Sequence, residues 1–545
     1  MTSSSIEIDS IRQIAQSVVV PMLNLYLQHN DFPLEVNSEG ICHGLATVFC
    51  KYALLDKEDE FYRFLEKIKT QGEAIETLKG LSSQEKNLDV NQINKIKDEL
   101  NKVDEQLNQF VAEVIYSFFP QAFNKRLSQD DSAEHIKFLV RAENSRNEIS
   151  ESAKKEFQFG SVAKISTWAK ILERLRVNGK TQVADGTAMT IRGVLHTIAV
   201  SVKNGKFYIY DPSHDKKEIC NNGKELAVKL KEIFHQELQE HSLPLLLNVI
   251  SAPQSNIQFE YPSKESLLKN IIKNNNINTK IIINKHPFDS LTLAAMQNDI
   301  MQIKLLFKHG ADSSDMALLL AMRDNRLESI DILLSPEYRD KIKGTWFNEQ
   351  GEKIDTYLEA FELAIECGRV QAFQRLLRDE AAKKIFHEKL QDSRTQTNLL
   401  NLAVKSGNPH SINEVLNQIC AVNPNLSHQD LINQEILKKA VESKKNDRCL
   451  KRLIDIVGVE EASKAGIQII GIASYDLPTT EKEVCAFIKT MHSFFEFVKA
   501  LLNATTDVLK FNSSKNEAIN PQRFFATKSA EEPENNPTHS QTLGK

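Results

Sequence analysis

The sequence predicts a mixed α+β domain over residues 1–280, with a helical insertion at 57–150, followed by an α-helical repeat region over 285–460. Two patterns support this fold class. A strand–turn–strand pattern rich in β-branched residues lies between 194 and 210, between stretches of helical periodicity. Beyond residue 285 a pair of short helices recurs, which is typical of repeat proteins. A chain of 545 residues is long enough for two or three such domains.

Composition and charge exclude several classes of protein. Apolar residues make up 41% of the chain and charged residues 26%, which is typical of a soluble globular protein. The formal net charge of −5 predicts no nucleic-acid-binding surface. Apolar runs such as 243–250 are too short to span a bilayer, so we expect any membrane association to be indirect. The first residues lack the basic-then-apolar order of a signal peptide.

The seven cysteines predict a reducing environment. Their number is odd and no two lie within three residues of each other, which fits neither a disulfide framework nor a zinc site. In a reducing compartment a free thiol survives and can act as a nucleophile. The chain also lacks a Walker-type loop, a dinucleotide fingerprint and a His-Glu-x-x-His motif. We therefore expect no metal and no cofactor.

The first predicted elements are a helix, a loop and a second helix. Apolar spacing predicts a helix over 11–27, and Pro, Asn, Ser and Gly predict a loop over 31–40. The second helix runs from Cys42 to Leu55. A thiol at a helix start faces unpaired backbone N–H groups and the positive end of the helix dipole, which lower its pKa. Cys42 is therefore a candidate nucleophile; the alternative is a buried structural cysteine, which is our interpretation of Cys50.

Residues 57–150 separate this cysteine from the rest of the domain. They are rich in Lys, Glu, Gln and Asn, contain few glycines and carry apolar residues at helical spacing. Helices with so many polar residues are usually solvated scaffolding. We interpret the insertion in that way, with a substrate-gripping arm as the alternative.

A β-hairpin is predicted around Asn204-Gly205, a tight-turn dipeptide between strand-like runs at 194–202 and 206–210. The hairpin would place His196 and Asp211 on adjacent antiparallel strands. Asp211 could then accept a hydrogen bond from the imidazole N–H and fix its tautomer. Together with a cysteine, these residue types supply the nucleophile, base and orienting carboxylate of thiol catalysis.

Two other histidines are less suitable as the base. His43 follows the cysteine directly, and neighbouring residues on a helix point in different directions. His214 lies beyond the turn that follows the aspartate.

Paired helices recur over 285–460. Alanines at corresponding positions are 27 to 43 residues apart: Ala294, Ala321, Ala364, Ala403 and Ala440. A repeat of about 33 residues with inserted loops fits this spacing. One pair cannot bury its apolar face alone, so stacked pairs share one elongated core. The first unit, with Thr-Leu-Ala-Ala at 292–295 and His-Gly-Ala-Asp at 309–312, resembles an ankyrin repeat.

The resemblance implies four to five ankyrin-like repeats with a concave surface for a protein partner. The alternative is a generic helical-hairpin solenoid, which would present a similar surface. Residues 461–511 are predicted as a helical cap on the end of the solenoid, and the polar residues 512–545 as a disordered tail.

Three short sequence segments that contain the cysteine, the histidine and the aspartate resemble a known family. Gly-Ile-Cys-His-Gly-Leu-Ala at 40–46, a histidine before an apolar strand, and Tyr-Asp-Pro at 210–212 are similar to the papain-fold cysteine proteases that bacterial pathogens inject, of the YopT and AvrPphB type. The resemblance implies that Cys42 is the nucleophile, His196 the general base and acid, and Asp211 the orienting residue. It also implies a side-chain amide upstream of the cysteine as an oxyanion donor.

Position 36, six residues before the cysteine, is Val36, and only one glycine, Gly193, precedes the histidine, where those proteases often carry two. Asn37 is the nearest candidate for the amide donor. These departures keep open a protease fold that has lost activity and serves as a binding module.

A protease-like domain joined to ankyrin-like repeats and a glutamate-bearing tail resembles effectors that Legionella delivers into host cells by type IV secretion. Glu-Glu-Pro-Glu at 531–534 is similar to the short acidic blocks near their C-termini. The resemblance implies secretion without an N-terminal signal, a location in the host cytoplasm and a host protein as partner. We expect a monomer.

The predicted function is that of an effector cysteine protease that acts on a host protein recruited by the repeats. One alternative is an inactive protease-like scaffold that binds the host protein through the repeats. A second is a transglutaminase or deamidase that uses the same Cys-His-Asp triad, because its thioester can also be reached from a glutamine amide.

Overall fold

The computed structural model describes residues 13–30, 36, 41–82, 94–95, 100, 104–118, 120, 133–137, 139–140, 152–178, 181–182, 186–252, 261–274, 276–284, 286–312, 315–347, 353–442, 447–458 and 462. The predicted disordered tail and all of the predicted cap except residue 462 lie outside these ranges, as does Asn37.

The described residues form a mixed α+β fold around an antiparallel sheet. The strands before residue 260 are β1 (Lys154–Lys164), β2 (Val177–Asn178), β3 (Thr181–Gln182), β4 (Thr187–Arg192), β5 (Thr197–Lys203), β6 (Lys206–Tyr210), β7 (Glu218–Cys220) and β8 (Ser242–Ser251). Six of them form one sheet in the order β1-β8-β4-β5-β6-β7, and β2 pairs with β3 alone. Strand β8 is buried along its whole length, because apolar side chains cover both faces of the sheet.

The predicted hairpin is confirmed as β5–β6. Asn204 and Gly205 connect the strands with φ angles of 50° and 67°, the left-handed conformation that an Asn-Gly turn supplies at low cost. Ala199 pairs with Tyr210, so residues 196 and 211 lie just beyond the paired region, at the same end of the sheet.

One detail of the hairpin prediction is wrong. His196 was expected on a strand, but β5 begins at Thr197, and residues 193–196 form a turn. The N–H of Gly193 donates to the carbonyl of His196 across 2.9 Å, and the N–H groups of residues 194 and 195 donate to a buried side chain. These groups therefore take no part in the strand ladder.

Helices from the N-terminal part cover one face of the sheet: α1 (Gln16–His29), α2 (Ile41–Leu54), α3 (Glu58–Ser82) and α4 (Glu105–Phe118). Helix α2 packs on β4 and β5, and α3 and α4 pack on α1 and α2. The interpretation of residues 57–150 as solvated scaffolding is therefore wrong for α3 and α4. Phe61 and Phe110 are 0% exposed, and Phe61 lies 4.9 Å, between ring centroids, from Tyr210 of β6. The apolar residues at helical spacing form one buried stripe on each of these helices.

Gly44 is the point where α4 crosses α2. A β-carbon at Gly44 would lie 2.9 Å from the carbonyl oxygen of Val114 and 3.3 Å from Phe118. We expect Gly44→Ala to lower the free energy of unfolding by about 1–3 kcal/mol, because the two helices must move apart. Urea denaturation measures the change. Gly80→Ala in α3, where a β-carbon meets no atom within 4 Å, is the control and should be neutral or slightly stabilising; equal losses in the two variants would contradict the tight crossing.

The opposite face of the sheet is covered by α5 (Ile165–Arg176), α6 (Gly223–Ile233) and α7 (Lys264–Asn274). Elements of the second half of the chain pack at the β1–β8 edge, where Leu293 and Met296 cluster with Val162 and Leu246. Those later elements are β9 (Ile281–Ile283), β10 (His286–Phe288), α8 (Ser290–Met296), α9 (Ile300–Lys308), α10 (Asp315–Arg323), α11 (Leu327–Leu333), β11 (Thr345–Phe347), β12 (Lys353–Asp355), α12 (Thr356–Glu366), α13 (Val370–Leu376), α14 (Glu380–Lys389), α15 (Ser393–Lys405), α16 (Pro409–Val422), α17 (His428–Leu431), α18 (Gln434–Glu442) and α19 (Asp447–Val457).

The paired helices share one turn geometry. Helices α8–α9, α10–α11, α12–α13 and α15–α16 are each joined by three residues, and the middle residue has a φ between 54° and 68°. These middle residues are Asn298, Asn325, Gly368 and Gly407. Asparagine and glycine are the residues that adopt this left-handed conformation most readily. Four units therefore repeat in structure although their sequences differ.

The two halves of the chain share one apolar core, which runs from Phe157 through the sheet into the paired helices as far as Ala462. The Ser290 hydroxyl lies 2.8 Å from that of Ser161 and accepts from the N–H of Val162 across 3.1 Å. The predicted boundary near residue 280 is thus crossed by continuous packing.

Within the described ranges, none of the helices combines the length and apolar character needed to cross a bilayer.

Candidate active site

Cys42 occupies the second position of α2, close to the predicted helix start, and is 5% exposed. The first N–H groups of a helix have no acceptor within it, and the positive end of the dipole lies there. Because α2 packs on β4 and β5, the thiol faces the end of the sheet where His196 precedes β5.

The structure brings Cys42, His196 and Asp211 together. His196 Nε2 lies 2.8 Å from Asp211 Oδ1, and the His196 side chain hydrogen-bonds the Cys42 thiol. Since Nε2 is used by the aspartate, Nδ1 is the ring nitrogen left for the sulfur. The sulfur also accepts from the backbone N–H of Thr197. The sequence analysis had named these same three residues.

The pKa shifts at the site favour a thiolate–imidazolium pair. Burial would raise the pKa of the Cys42 thiol, but the hydrogen bond and charge of His196 and the Thr197 N–H lower it below its usual value. Burial would lower the pKa of His196, but its bonds to Asp211 and Cys42 raise it to about 10. Together these opposite shifts favour transfer of the thiol proton to the imidazole.

Asp211 is held in place by several donors. Its Oδ1 accepts from the N–H of Ser213 across 2.9 Å as well as from His196. Burial would raise its pKa, but these bonds and the His196 charge lower it, so the carboxyl stays ionised. Gln13, which precedes α1, donates through Nε2 to the carbonyl of Asp211 across 2.6 Å. The N–H of Gln16, the first residue of α1, donates to the carbonyl of Pro212 across 2.6 Å.

Arg192, the last residue of β4, adds positive charge to the site and contributes to the lowered pKa of the Cys42 thiol. Burial lowers the pKa of Arg192 to about 10, with Arg323 adding to that effect, while Asp324 and Cys42 oppose it. Arg323 and Asp324 lie at the turn between α10 and α11, so the second half of the chain reaches the surroundings of the thiol.

The two histidines judged unsuitable as the base stay apart from the thiol chemistry. His43 is buried, its ring lies 6.1 Å from that of His135, and burial lowers its pKa well below the usual value. His214 is largely exposed, with Nε2 3.6 Å from Asp211 Oδ2. Cys50 is buried, its thiol donates to the carbonyl of Met189, and burial raises its pKa, as expected for a structural cysteine.

The predicted amide donor, Asn37, lies outside the described residues. Val36 is buried, and its backbone N–H and carbonyl are both bonded by the side chain of Asn24, at 2.8 and 2.7 Å. Asn24 therefore fixes the backbone six residues before Cys42.

Sequence reasoning missed Gln13, Arg192 and Glu237, whose roles depend on contacts between distant parts of the chain. Only the glycine at 193 gave a local signal, because it allows close approach of another group. In the described part of the chain, no group of three His, Cys, Asp or Glu side chains is arranged to hold a metal ion.

Fold and site together define a mixed α+β protein with a hydrogen-bonded Cys–His–Asp chain at one end of its antiparallel sheet. No family model matches the chain, and neither the curated proteins nor the solved structures contain a significant match.

Proposed function

We propose that the chain is a papain-like cysteine protease that acts on a protein substrate. The proposal depends on one observation, the series of hydrogen bonds from the Cys42 thiol through His196 to Asp211. Cys42 lies at the start of a helix, and the other two residues lie at the end of a hairpin.

In the first step, the Cys42 thiolate attacks a peptide carbonyl carbon and forms the S–C bond. The carbonyl electrons move to oxygen, and the backbone N–H of Cys42 at the start of α2 supports this oxyanion. The tetrahedral species collapses, the C–N bond breaks, and the imidazolium of His196 gives its proton to the leaving amine.

In the second step, water hydrolyses the thioester. His196, now neutral, takes a proton from the water as its oxygen attacks the thioester carbon. The S–C bond then breaks, the acid product leaves, and the resting thiolate–imidazolium pair is restored. Asp211 stays ionised, holds the Nε2 tautomer and stabilises the imidazolium on each pass.

The paired helices are proposed as ankyrin-like repeats that recruit the substrate. The shared three-residue turns support this, as do the short hairpins β9–β10 and β11–β12, which precede the first and third pairs. Under this proposal the chain is an effector exported by type IV secretion into the host cytoplasm, and its substrate is a host protein.

The proposal is tested by asking whether substitution of Cys42, but not of Cys50, abolishes peptide cleavage. The full chain is incubated with a peptide library and the products are identified by mass spectrometry. We expect cleavage by the wild type and by Cys50→Ala, and none by Cys42→Ala. In a parallel assay with iodoacetamide at pH 6, Cys42 should react faster than Cys50, whose pKa is raised by burial.

Other products would redirect the proposal. A mass gain of about one unit on glutamine residues would indicate deamidation, and cross-linked peptides would indicate transglutamination. No turnover, together with equal labelling of the two cysteines, would overturn the enzyme and favour the binding scaffold.

A further inference from the structure

A short segment between α6 and β8 holds the turn that carries His196. This segment is the 3₁₀ helix His235–Glu237. Glu237 is 1% exposed, and its carboxylate accepts from the backbone N–H of Val194 across 2.6 Å and from that of Leu195 across 2.9 Å. One oxygen serves each donor, so both oxygens are bonded to the turn.

Gly193 makes this approach possible. A β-carbon at position 193 would overlap the Glu237 carboxylate, so only glycine leaves room for it. The N–H of Gly193 donates to the carbonyl of His196 across 2.9 Å and closes the turn. Three hydrogen bonds thus fix residues 193–196.

The same segment also touches the imidazole. The ring of Phe234, which directly precedes the 3₁₀ helix and is 1% exposed, lies 6.0 Å from the His196 ring between centroids. The turn before the histidine and the histidine ring are therefore contacted by two residues of one short segment, Glu237 and Phe234.

Burial makes the ionised form of the Glu237 carboxylate unfavourable in free energy. Burial raises its pKa to about 7, while the two N–H bonds and the charges of His196 and Arg192 act in the opposite direction. A buried carboxylate that served only packing could be replaced by an apolar side chain without this cost. Its contacts are with the turn that precedes the base.

We propose that Glu237 is a positioning residue for His196: it fixes the 193–196 turn so that the imidazole meets the Cys42 thiol and Asp211 together. The inference rests on the proposed function of the triad. Glutamine cannot substitute, because its amide offers one oxygen acceptor and turns an NH₂ donor toward the second N–H.

The test is the pH dependence of iodoacetamide alkylation at Cys42 in the full chain, followed by mass spectrometry. We expect Glu237→Gln to raise the midpoint of this profile by about one unit, so that alkylation below both midpoints slows about tenfold. Gly193→Ala displaces the carboxylate without removing it and should give the same shift. A residue that served stability alone would lower the melting temperature and leave the midpoint in place.

Asp289→Asn is the matched control. Asp289 is also a buried carboxylate that accepts a backbone N–H, at 2.8 Å from Thr292, and burial raises its pKa too, but it caps α8. Its replacement should not move the midpoint. If the wild-type midpoint is lowered but neither Glu237→Gln nor Gly193→Ala changes it, this inference is overturned and the proposed function stands. A wild-type midpoint at the usual cysteine value would overturn the proposed function and, with it, the inference.

Discussion

Replacing His196 with alanine is expected to reduce kcat/KM by about four orders of magnitude while the fold is retained. Under the proposed mechanism, the substitution removes the proton donor for the leaving amine; it also removes the partner that lowers the pKa of the Cys42 thiol. Without that partner, burial dominates and the thiol stays protonated at neutral pH. Turnover of a cleaved peptide and circular dichroism measure the two quantities.

The same pair sets a pH range for activity. The imidazolium is present only below the His196 pKa of about 10, so activity should fall as pH rises through that value. On the acid side, activity should persist below the usual cysteine pKa, because the thiolate already exists there. His214→Ala is the control, since His214 is largely exposed and meets Asp211 only across 3.6 Å; it should change kcat/KM by less than about twofold. A comparable loss in both variants would contradict the assignment of His196 as the base.

Removing Lys51 alone is expected to cost about 3–5 kcal/mol of the free energy of unfolding. Lys51 of α2 and Glu113 of α4 form an ion pair at 2.7 Å, with side chains 1% and 4% exposed. Lys51→Met leaves the Glu113 carboxylate buried without its cation. Urea denaturation of the full chain measures the loss, which should appear as a lower midpoint with an unchanged slope.

The double variant Lys51→Met, Glu113→Leu tests the reason for that loss. With both charges gone and similar volume kept, we expect most of the stability to return. If the double variant is as unstable as the single one, packing rather than the uncompensated charge explains the effect. Because this pair joins the helix of the nucleophile to α4, the same variants also show how far thiol reactivity depends on that helix.

The parts of the site with a local chemical cause could be predicted from the sequence. Cys42 follows a loop and begins an apolar helix, and Asn204-Gly205 demands a tight hairpin, so residues 196 and 211 had to lie at one end of it. The exact strand limits could not be predicted, because the turn before Thr197 depends on a carboxylate about forty residues away in the chain.

The rest follows from packing between distant segments. Helices α3 and α4 have many polar residues, and only the tertiary fold shows that Phe61 contacts both Phe110 and Tyr210. Gln13 supports the aspartate turn from almost two hundred residues away. No periodicity in the sequence records such a contact, because its cause is the folded shape itself.

The core that runs from the sheet into the paired helices limits how the protein can be regulated. A cut near residue 280 would not release an independently folded fragment, since removal of the second half would expose apolar side chains of the sheet such as Val162 and Leu246. Under the proposed function, activation by removal of the second half is therefore not expected. We therefore expect the two halves to unfold and to be degraded as one unit.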